Sequence, residues 1–149
     1  MKLQIEMIPR PNWGKSLSKK LKKSDWDSIR KAVYAKENMK CHICEEDCQS
    51  LHAHEVWNFD EERHVQKLVD IIGICSACHN TIHYGRAQRI GKAREAQEQF
   101  LKVNDCLSFL EFQTDLNRAS EDFHRRSKIE DWKIDVSFIE QQGYVVKIE

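Results

Sequence analysis

Cys41-His-Ile-Cys44 and Cys75-Ser-Ala-Cys-His-Asn-Thr-Ile-His83 are the stretches that decide how this chain folds. Each contains two cysteines separated by two residues, and two such pairs can supply four thiolates to one tetrahedral zinc ion. The chain has six cysteines, and in a reducing compartment cysteines favour metal binding over disulfides. A zinc ion held in this way would join two segments that are distant in sequence. Its four expected ligands are Cys41, Cys44, Cys75 and Cys78.

Two cysteines remain outside this set. Cys48 could replace Cys44 or add a further ligand, and the alternative is an ordinary free thiol. Cys106 lies on a helical pattern, so we expect it in the core.

Four histidines lie between and after the cysteine pairs, at two informative spacings. The stretch Leu51-His-Ala-His-Glu-Val-Trp57 alternates, which predicts a strand that carries His52 and His54 on one face, about 7 Å apart. His79 and His83 are four residues apart, so they share one face of a helix. If that helix packs across the strand, the four imidazoles converge. Imidazole suits a catalytic divalent cation, and a neutral imidazole suits a general base.

Length and composition indicate one soluble domain. The chain has 149 residues, of which 40% are hydrophobic and 32% charged. No apolar run approaches the roughly 20 residues that span a bilayer, so we expect no membrane partner. The N-terminal segment up to Pro9 contains an acid and lacks a long apolar core, unlike a secretory signal. The sequence therefore predicts a cytoplasmic protein.

Charge is segregated although the formal net charge is zero. Residues 10–31 contain eight basic side chains and two acids, whereas acids gather between Glu45 and Glu62. A second basic run follows the last histidine of the motif and contains no acid. It consists of Arg86, Arg89, Lys92 and Arg94. These runs predict a phosphate-facing side, with a solvated lysine-rich surface as the alternative.

Local patterns predict the remaining elements. Strands are expected at 3–7, 51–57, 65–74, 132–139 and 144–148, with a polar turn at 58–62. Helices are expected after a Ser24 cap, from near Ser76, over 92–103 and over about 105–126 with an Asp105 cap. Gly85 and Gly91 are expected to bracket a break. The C-terminal strands could serve a dimer, although the sequence does not determine the oligomeric state.

The order of these motifs resembles the zinc-containing branch of the HNH nuclease superfamily, which has the ββα-metal fold. The shared pattern is Cys-x-x-Cys, a strand with histidine, and Cys-x-x-Cys-His at a helix start. His54-Glu-Val-Trp57, Val65-Gln66 and Cys75 to Gly85 resemble small bacterial and phage HNH proteins. The core of the resemblance covers about residues 39–85, and a looser likeness covers 26–104.

This resemblance implies an α+β fold with a zinc-clipped ββα-metal core, flanking helices and short terminal strands. Residues 1–38 would form an N-terminal strand, basic segment and helix, and residues 39–104 the core. Residues 105–149 would add a C-terminal helix and strands to the same single domain.

The resemblance also implies a metal-dependent endonuclease that hydrolyses DNA phosphodiester bonds. In that family the strand histidine activates water, and a divalent cation stabilises the charge that develops on the phosphate. By residue matching, His54 is the general base, His79 and His83 are ligands of Mg²⁺, Mn²⁺, Ni²⁺ or Zn²⁺, and His52 is a further ligand candidate. The DNA backbone would contact Arg86, Arg89, Lys92 and Arg94. Trp57 and Tyr84 could stack on a base or pack in the core.

Two positions depart from the family pattern. Ala53 stands where many members carry an Asp or His ligand, so His52 could take over, or His54 could itself be a ligand with Glu55 assisting. The asparagine that usually precedes the second cysteine pair is also missing. Its candidate replacements are Asp70, Asn58 and Asn80. The alternative function is therefore a catalytically inactive zinc module that binds nucleic acid or a protein partner.

Overall fold

A computed structural model describes residues 1–147, and within them the chain is α+β with seven α-helices, one 3-10 helix (Arg10–Asn12) and three strands. The helices are α1 (Leu17–Lys20), α2 (Lys23–Glu37), α3 (Ser76–Ile82), α4 (Tyr84–Arg89), α5 (Ala93–Val103), α6 (Phe109–Ser127) and α7 (Ser137–Glu140). The strands β1 (His52–Asp60), β2 (Val65–Ile74) and β3 (Lys133–Asp135) form one sheet in that order. Across residues 1–147, every helix falls short of the length or apolar character that crossing a bilayer requires.

The antiparallel hairpin of β1 and β2 confirms the two central strands. It pairs His54 with Ile72, and a β-bulge follows Val56. The polar turn, however, was expected too early, because β1 continues to Asp60. The Asp60 carboxylate accepts hydrogen bonds from the backbone of Glu62 and Arg63 at 3.1 and 3.0 Å, so the chain reverses after the strand ends.

The predictions for the chain termini were wrong in several places. Residues 3–7 form no strand, because their backbone groups bond to side chains of later elements and to the end of α3. Of the strands expected between residue 132 and residue 147, β3 alone forms, and it runs parallel to β2. The Asp135 carboxylate accepts a hydrogen bond from Ser137 N at 2.9 Å, which turns the chain into α7. Residues 144–147 are not a strand, and Ile148 lies outside the described residues.

Helix boundaries also differ from those expected. Helix α2 begins at Lys23 rather than after Ser24, since Trp26 N donates to Lys22 O and closes the first turn there. Gly85 lies inside α4, so Gly91 alone makes the break, with a φ of 76°. Asp105 adopts a left-handed φ of 51° and does not cap α6, whose N-cap is Ser108.

Three groups of buried residues hold these elements together. One joins α2, the sheet and α7, and a second joins α4, α5, α6 and Ile5. The third surrounds Cys41 and Cys78 and includes Leu3, which docks the N-terminal segment there. Helix α2 approaches β2 closely at Gly73, where a Cβ atom would lie 3.0 Å from the side chain of Glu37.

Candidate metal centres

The four cysteines of the two Cys-x-x-Cys pairs come together, as predicted. The four Sγ atoms lie within 4.8 Å of one another, and those of Cys44 and Cys75 are 3.8 Å apart. Two thiolates at tetrahedral positions of zinc, with bonds of about 2.3 Å, would be about 3.8 Å apart. Four cysteines in this arrangement could hold a metal ion such as zinc.

Hydrogen bonds from backbone N–H groups to sulfur close each Cys-x-x-Cys pair into a tight turn. Cys44 N donates to Cys41 Sγ at 3.5 Å, and Cys78 N donates to Cys75 Sγ at 3.4 Å. Cys75 is also the N-cap residue of α3, so the sulfur group fixes the start of that helix. Hydrogen bonds from the thiols of Cys75 and Cys78 lower the pKa of Cys41, and the bond to Cys41 raises the pKa of Cys75 to about 11.

The remaining cysteines lie outside this group. Cys48 Sγ donates to Ser50 O at 2.8 Å, in agreement with an ordinary thiol. Cys106 is half-buried against the core group of α4, α5 and α6, where it had been expected to pack.

Three of the four predicted histidines also converge. His54 lies on β1, His79 lies within α3, and His83 is the residue that ends α3. One ring nitrogen from each lies within 4.8 Å of the others. The ring centroids of His79 and His83 are 4.7 Å apart, and those of His54 and His83 are 5.3 Å apart. We call these three residues the histidine cluster.

His52 lies beside the histidine cluster rather than in it. Its ring stacks on His79 with centroids 4.8 Å apart and an angle of 3°. Its Nε2 atom is 2.9 Å from Ser76 Oγ, so one ring nitrogen already has a partner. This stacking holds the ring of His79 from the solvent side.

The histidine cluster is electrically neutral at pH 7. Burial lowers the pKa of His54 to about 4, of His79 to about 3 and of His83 to about 4. Neighbouring imidazoles lower each value further, and the positive charge of Arg86 also lowers those of His79 and His83. A neutral imidazole keeps the lone pair that a metal ligand or a proton acceptor needs.

A cavity of about 260 Å³ opens onto the histidine cluster. Two hydroxyl groups, those of Ser16 and Ser18, line it together with the indole of Trp26. Glu55 also lines this cavity, but its Oε1 accepts a hydrogen bond from Leu17 N at 2.8 Å and so holds the start of α1. Burial raises the pKa of Glu55.

Glu6 is a cavity residue that sequence reasoning missed. Its Oε2 atom lies 4.0 Å from His54 Nε2, and its Oε1 atom is buried with no hydrogen-bond partner among residues 1–147. Burial raises the pKa of Glu6 to about 7, although Arg126 and Arg118 oppose the shift. The alternation of residues 3–7 placed Glu6 on the solvent face of a strand, so the sequence carried no signal for this position.

The other predicted residues vary in their distance from the cavity. Arg86, Arg89, Lys92 and Arg94 are all exposed on and after α4, and Arg94 pairs with Glu98 at 3.3 Å. Tyr84 is buried, with its ring 5.0 Å from Phe112, so it packs in the core. Trp57 packs partly against α2 and the sheet, and it also lines the cavity, so both of its expected roles stay open. Among the described residues that line the cavity, none is a candidate replacement for the family asparagine. Those candidates were Asp70, Asn58 and Asn80.

No protein-family model, curated protein or solved structure matches this chain.

Proposed function

We propose that this protein is a metal-dependent endonuclease of the HNH type that hydrolyses DNA phosphodiester bonds. The observation that carries the proposal is the convergence of the histidine cluster on one cavity. A strand histidine meets two helix histidines next to a cysteine group suited to zinc, which is the arrangement that the family resemblance implies.

The donor atoms suit a second cation. Three neutral nitrogen donors within 4.8 Å of one another match the preference of imidazole for Zn²⁺, Ni²⁺ and similar ions. His79 and His83 would hold the cation, together with His54 if that residue acts as a ligand. When bound, the cation supplies positive charge to the phosphate and leaving oxygen.

The chain itself supplies the groups for the reaction. His54 carries a lone pair that can accept a proton from the attacking water, because burial keeps its imidazole neutral. The hydroxyls of Ser16 and Ser18 can donate hydrogen bonds to phosphate oxygens that enter the cavity. Arg86 is near enough to affect two of the histidines electrostatically, so it would also attract a phosphate.

Ala53 favours a second candidate function. Its methyl group supplies no ligand where many HNH proteins carry one, so the chain could be an inactive zinc module that binds nucleic acid or a protein. A binding module, however, needs no cluster of buried neutral histidines. The two functions differ in whether DNA is cut.

The test is a plasmid-nicking assay with Mg²⁺, Mn²⁺ or Ni²⁺. We expect the wild-type protein to nick the plasmid, and His54→Ala to lower the rate by about 10²- to 10⁴-fold, the usual contribution of a general base. Zinc content and circular dichroism should stay unchanged in the variant. His124→Ala removes an exposed histidine of α6 and should retain full activity.

Each outcome separates the hypotheses. Nicking that persists in His54→Ala would show that the base is another residue. A mobility shift of DNA without nicking, under all three cations, would favour the inactive zinc module.

A further inference from the structure

A carboxylate from outside the cysteine-bearing core lies beside His54, one member of the histidine cluster. Glu6 belongs to the N-terminal segment, and 25% of its side-chain surface is accessible. Its carboxylate oxygen Oε1 is nevertheless buried and makes no hydrogen bond within the described chain. Its other oxygen, Oε2, lies 4.0 Å from His54 Nε2, beyond the 2.7–3.2 Å of an ordinary hydrogen bond.

The backbone of Glu6 is held by the helix that carries the histidines. Glu6 N donates to Ile82 O at 2.9 Å, directly before His83. The preceding residue is fixed from the other side, since Ile5 N donates to Asp115 Oδ2 at 2.8 Å. The carboxylate therefore lies at the cavity because two hydrogen-bonded anchors bring it there.

Neither of the two nearby arginines makes a hydrogen bond to the Glu6 carboxylate. Arg118 donates to Asp115 and Asp122, at 2.8 and 2.9 Å, and to the carbonyl of Ile5. Arg126 donates to Glu61 at 3.2 Å. Both guanidinium groups contribute positive charge near Glu6, but their hydrogen bonds go to other acceptors. A buried polar atom without a partner is costly, and a bound ion is one of the partners that can satisfy it.

We propose that Glu6 is part of the cation site, where its carboxylate, next to His54 at the edge of the same cavity, adds a negatively charged oxygen donor to the three imidazoles. The inference rests on the proposed nuclease function. Ala53 provides no charge at the position where the family pattern has a ligand, and Glu6 approaches the same site from a different segment. A carboxylate among imidazoles also widens the choice of ion towards Mg²⁺ and Mn²⁺, which prefer oxygen donors.

Glu6→Gln should then have two opposite effects. In the cation-free protein at about pH 8, where Glu6 is mostly ionised and zinc is still on the cysteines, the melting temperature should stay the same or rise, because Glu6→Gln removes a buried charge. In the presence of Mn²⁺, the increase in melting temperature should be smaller than in the wild type, because affinity falls. A residue that only supports the fold would lower the melting temperature under both conditions.

The experiment is a titration of the protein with Mn²⁺. Binding is measured by calorimetry and by the electron paramagnetic resonance signal of free Mn²⁺. We expect the wild type to bind one Mn²⁺ in addition to its zinc, and Glu6→Gln to bind it 10- to 100-fold more weakly, as for other carboxylates near metal-bound histidines. Glu62→Gln removes one negative charge from an exposed position on the hairpin turn and should bind like the wild type. His83→Ala should abolish the site.

The results distinguish failure of this inference from failure of the proposed function. Equal Mn²⁺ affinity in the wild type and Glu6→Gln, or a lower melting temperature in both conditions, would overturn the role of Glu6 and leave the histidine site standing. A wild-type protein that binds no Mn²⁺, Mg²⁺, Ni²⁺ or second Zn²⁺ would overturn the cation site and, with it, both proposals.

Discussion

At the scale of single residues, position in the fold decides what the same side chain can do. His52 and His54 are two residues apart on one face of β1, yet His52 pairs with Ser76 while His54 joins the histidine cluster. Cys48 and Cys44 are four residues apart, yet only Cys44 faces the other sulfurs. Chemical type therefore selects the candidates, and the local surroundings decide which of them act together.

The cysteine group yields a prediction at this scale. Cys75→Ser removes one sulfur ligand, while the serine hydroxyl can still accept the hydrogen bond from Cys78 N that caps α3, so the variant tests the metal site itself. Structural zinc contributes roughly 10–16 kcal/mol in zinc-finger peptides, as much as the roughly 5–15 kcal/mol that keeps a typical domain folded. We expect the variant to lose zinc and to unfold or aggregate, as measured by metal analysis and circular dichroism.

Cys48→Ser is the matched control, because it makes the same change at a cysteine that lies outside the group, in the loop that carries Cys41 and Cys44. This variant should keep its zinc and its circular dichroism spectrum. A soluble, zinc-free Cys75→Ser protein with a native spectrum would argue against a structural ion at this position.

At the scale of elements, α6 and α5 hold the N-terminal segment against α3. Asn104, at the end of α5, both donates to and accepts from the backbone of Leu3, at 2.8 and 3.0 Å. Asp115 of α6 accepts from Ile5 N and from Arg118 Nε, each at 2.8 Å. These side chains take the place of a neighbouring strand, which explains why an alternating segment forms no strand.

Asp115→Ala should therefore destabilise the protein strongly. Asp115 is buried, and its loss leaves the Ile5 amide without its acceptor and removes one of the three acceptors of Arg118. Removing one partner of a buried charged pair costs about 3–5 kcal/mol, and partial exposure of Arg118 should reduce this to about 2–3 kcal/mol. The free energy of unfolding in urea measures the effect.

Glu121→Ala changes an exposed carboxylate on the same helix. We expect a change within about 0.5 kcal/mol, as for most surface substitutions. Equal effects of the two variants would mean that Asp115 does not anchor the N-terminal segment.

At the scale of the whole molecule, the cysteine group joins parts of the chain that are distant in sequence. It ties the loop after α2 to the end of β2, where His42 N also donates to Gly73 O at 2.9 Å. The same group fixes the start of α3, and α3 presents His79 and His83 to β1. We therefore expect the histidine cluster to depend on the cysteine group, because α3 carries residues of both.

This dependence predicts an ordered response to metal removal. Mild chelation should remove a cation from the histidine cluster and leave the circular dichroism spectrum unchanged. Removal of zinc with a thiol-reactive mercurial should unfold the hairpin and α3 and abolish binding of the second cation. Sequential metal analysis with circular dichroism measures both steps. Retained binding of the second cation after complete zinc release would contradict the predicted order.

Spacing in the sequence was enough to predict the hairpin, the helix start near Ser76 and the four sulfurs, because each depends on neighbours within a few residues or on a pair of short repeats. The termini and helix caps were less predictable, since Asp105 and Ser24 have several possible partners and tertiary contacts choose among them. Glu6 shows the limit most clearly. Its neighbours along the chain give it a solvent-facing position, and only its packing against Ile82, brought close from 76 residues away, places its carboxylate beside His54. Local chemistry determined the metal-binding segments, and long-range packing alone decided which side chains share a cavity.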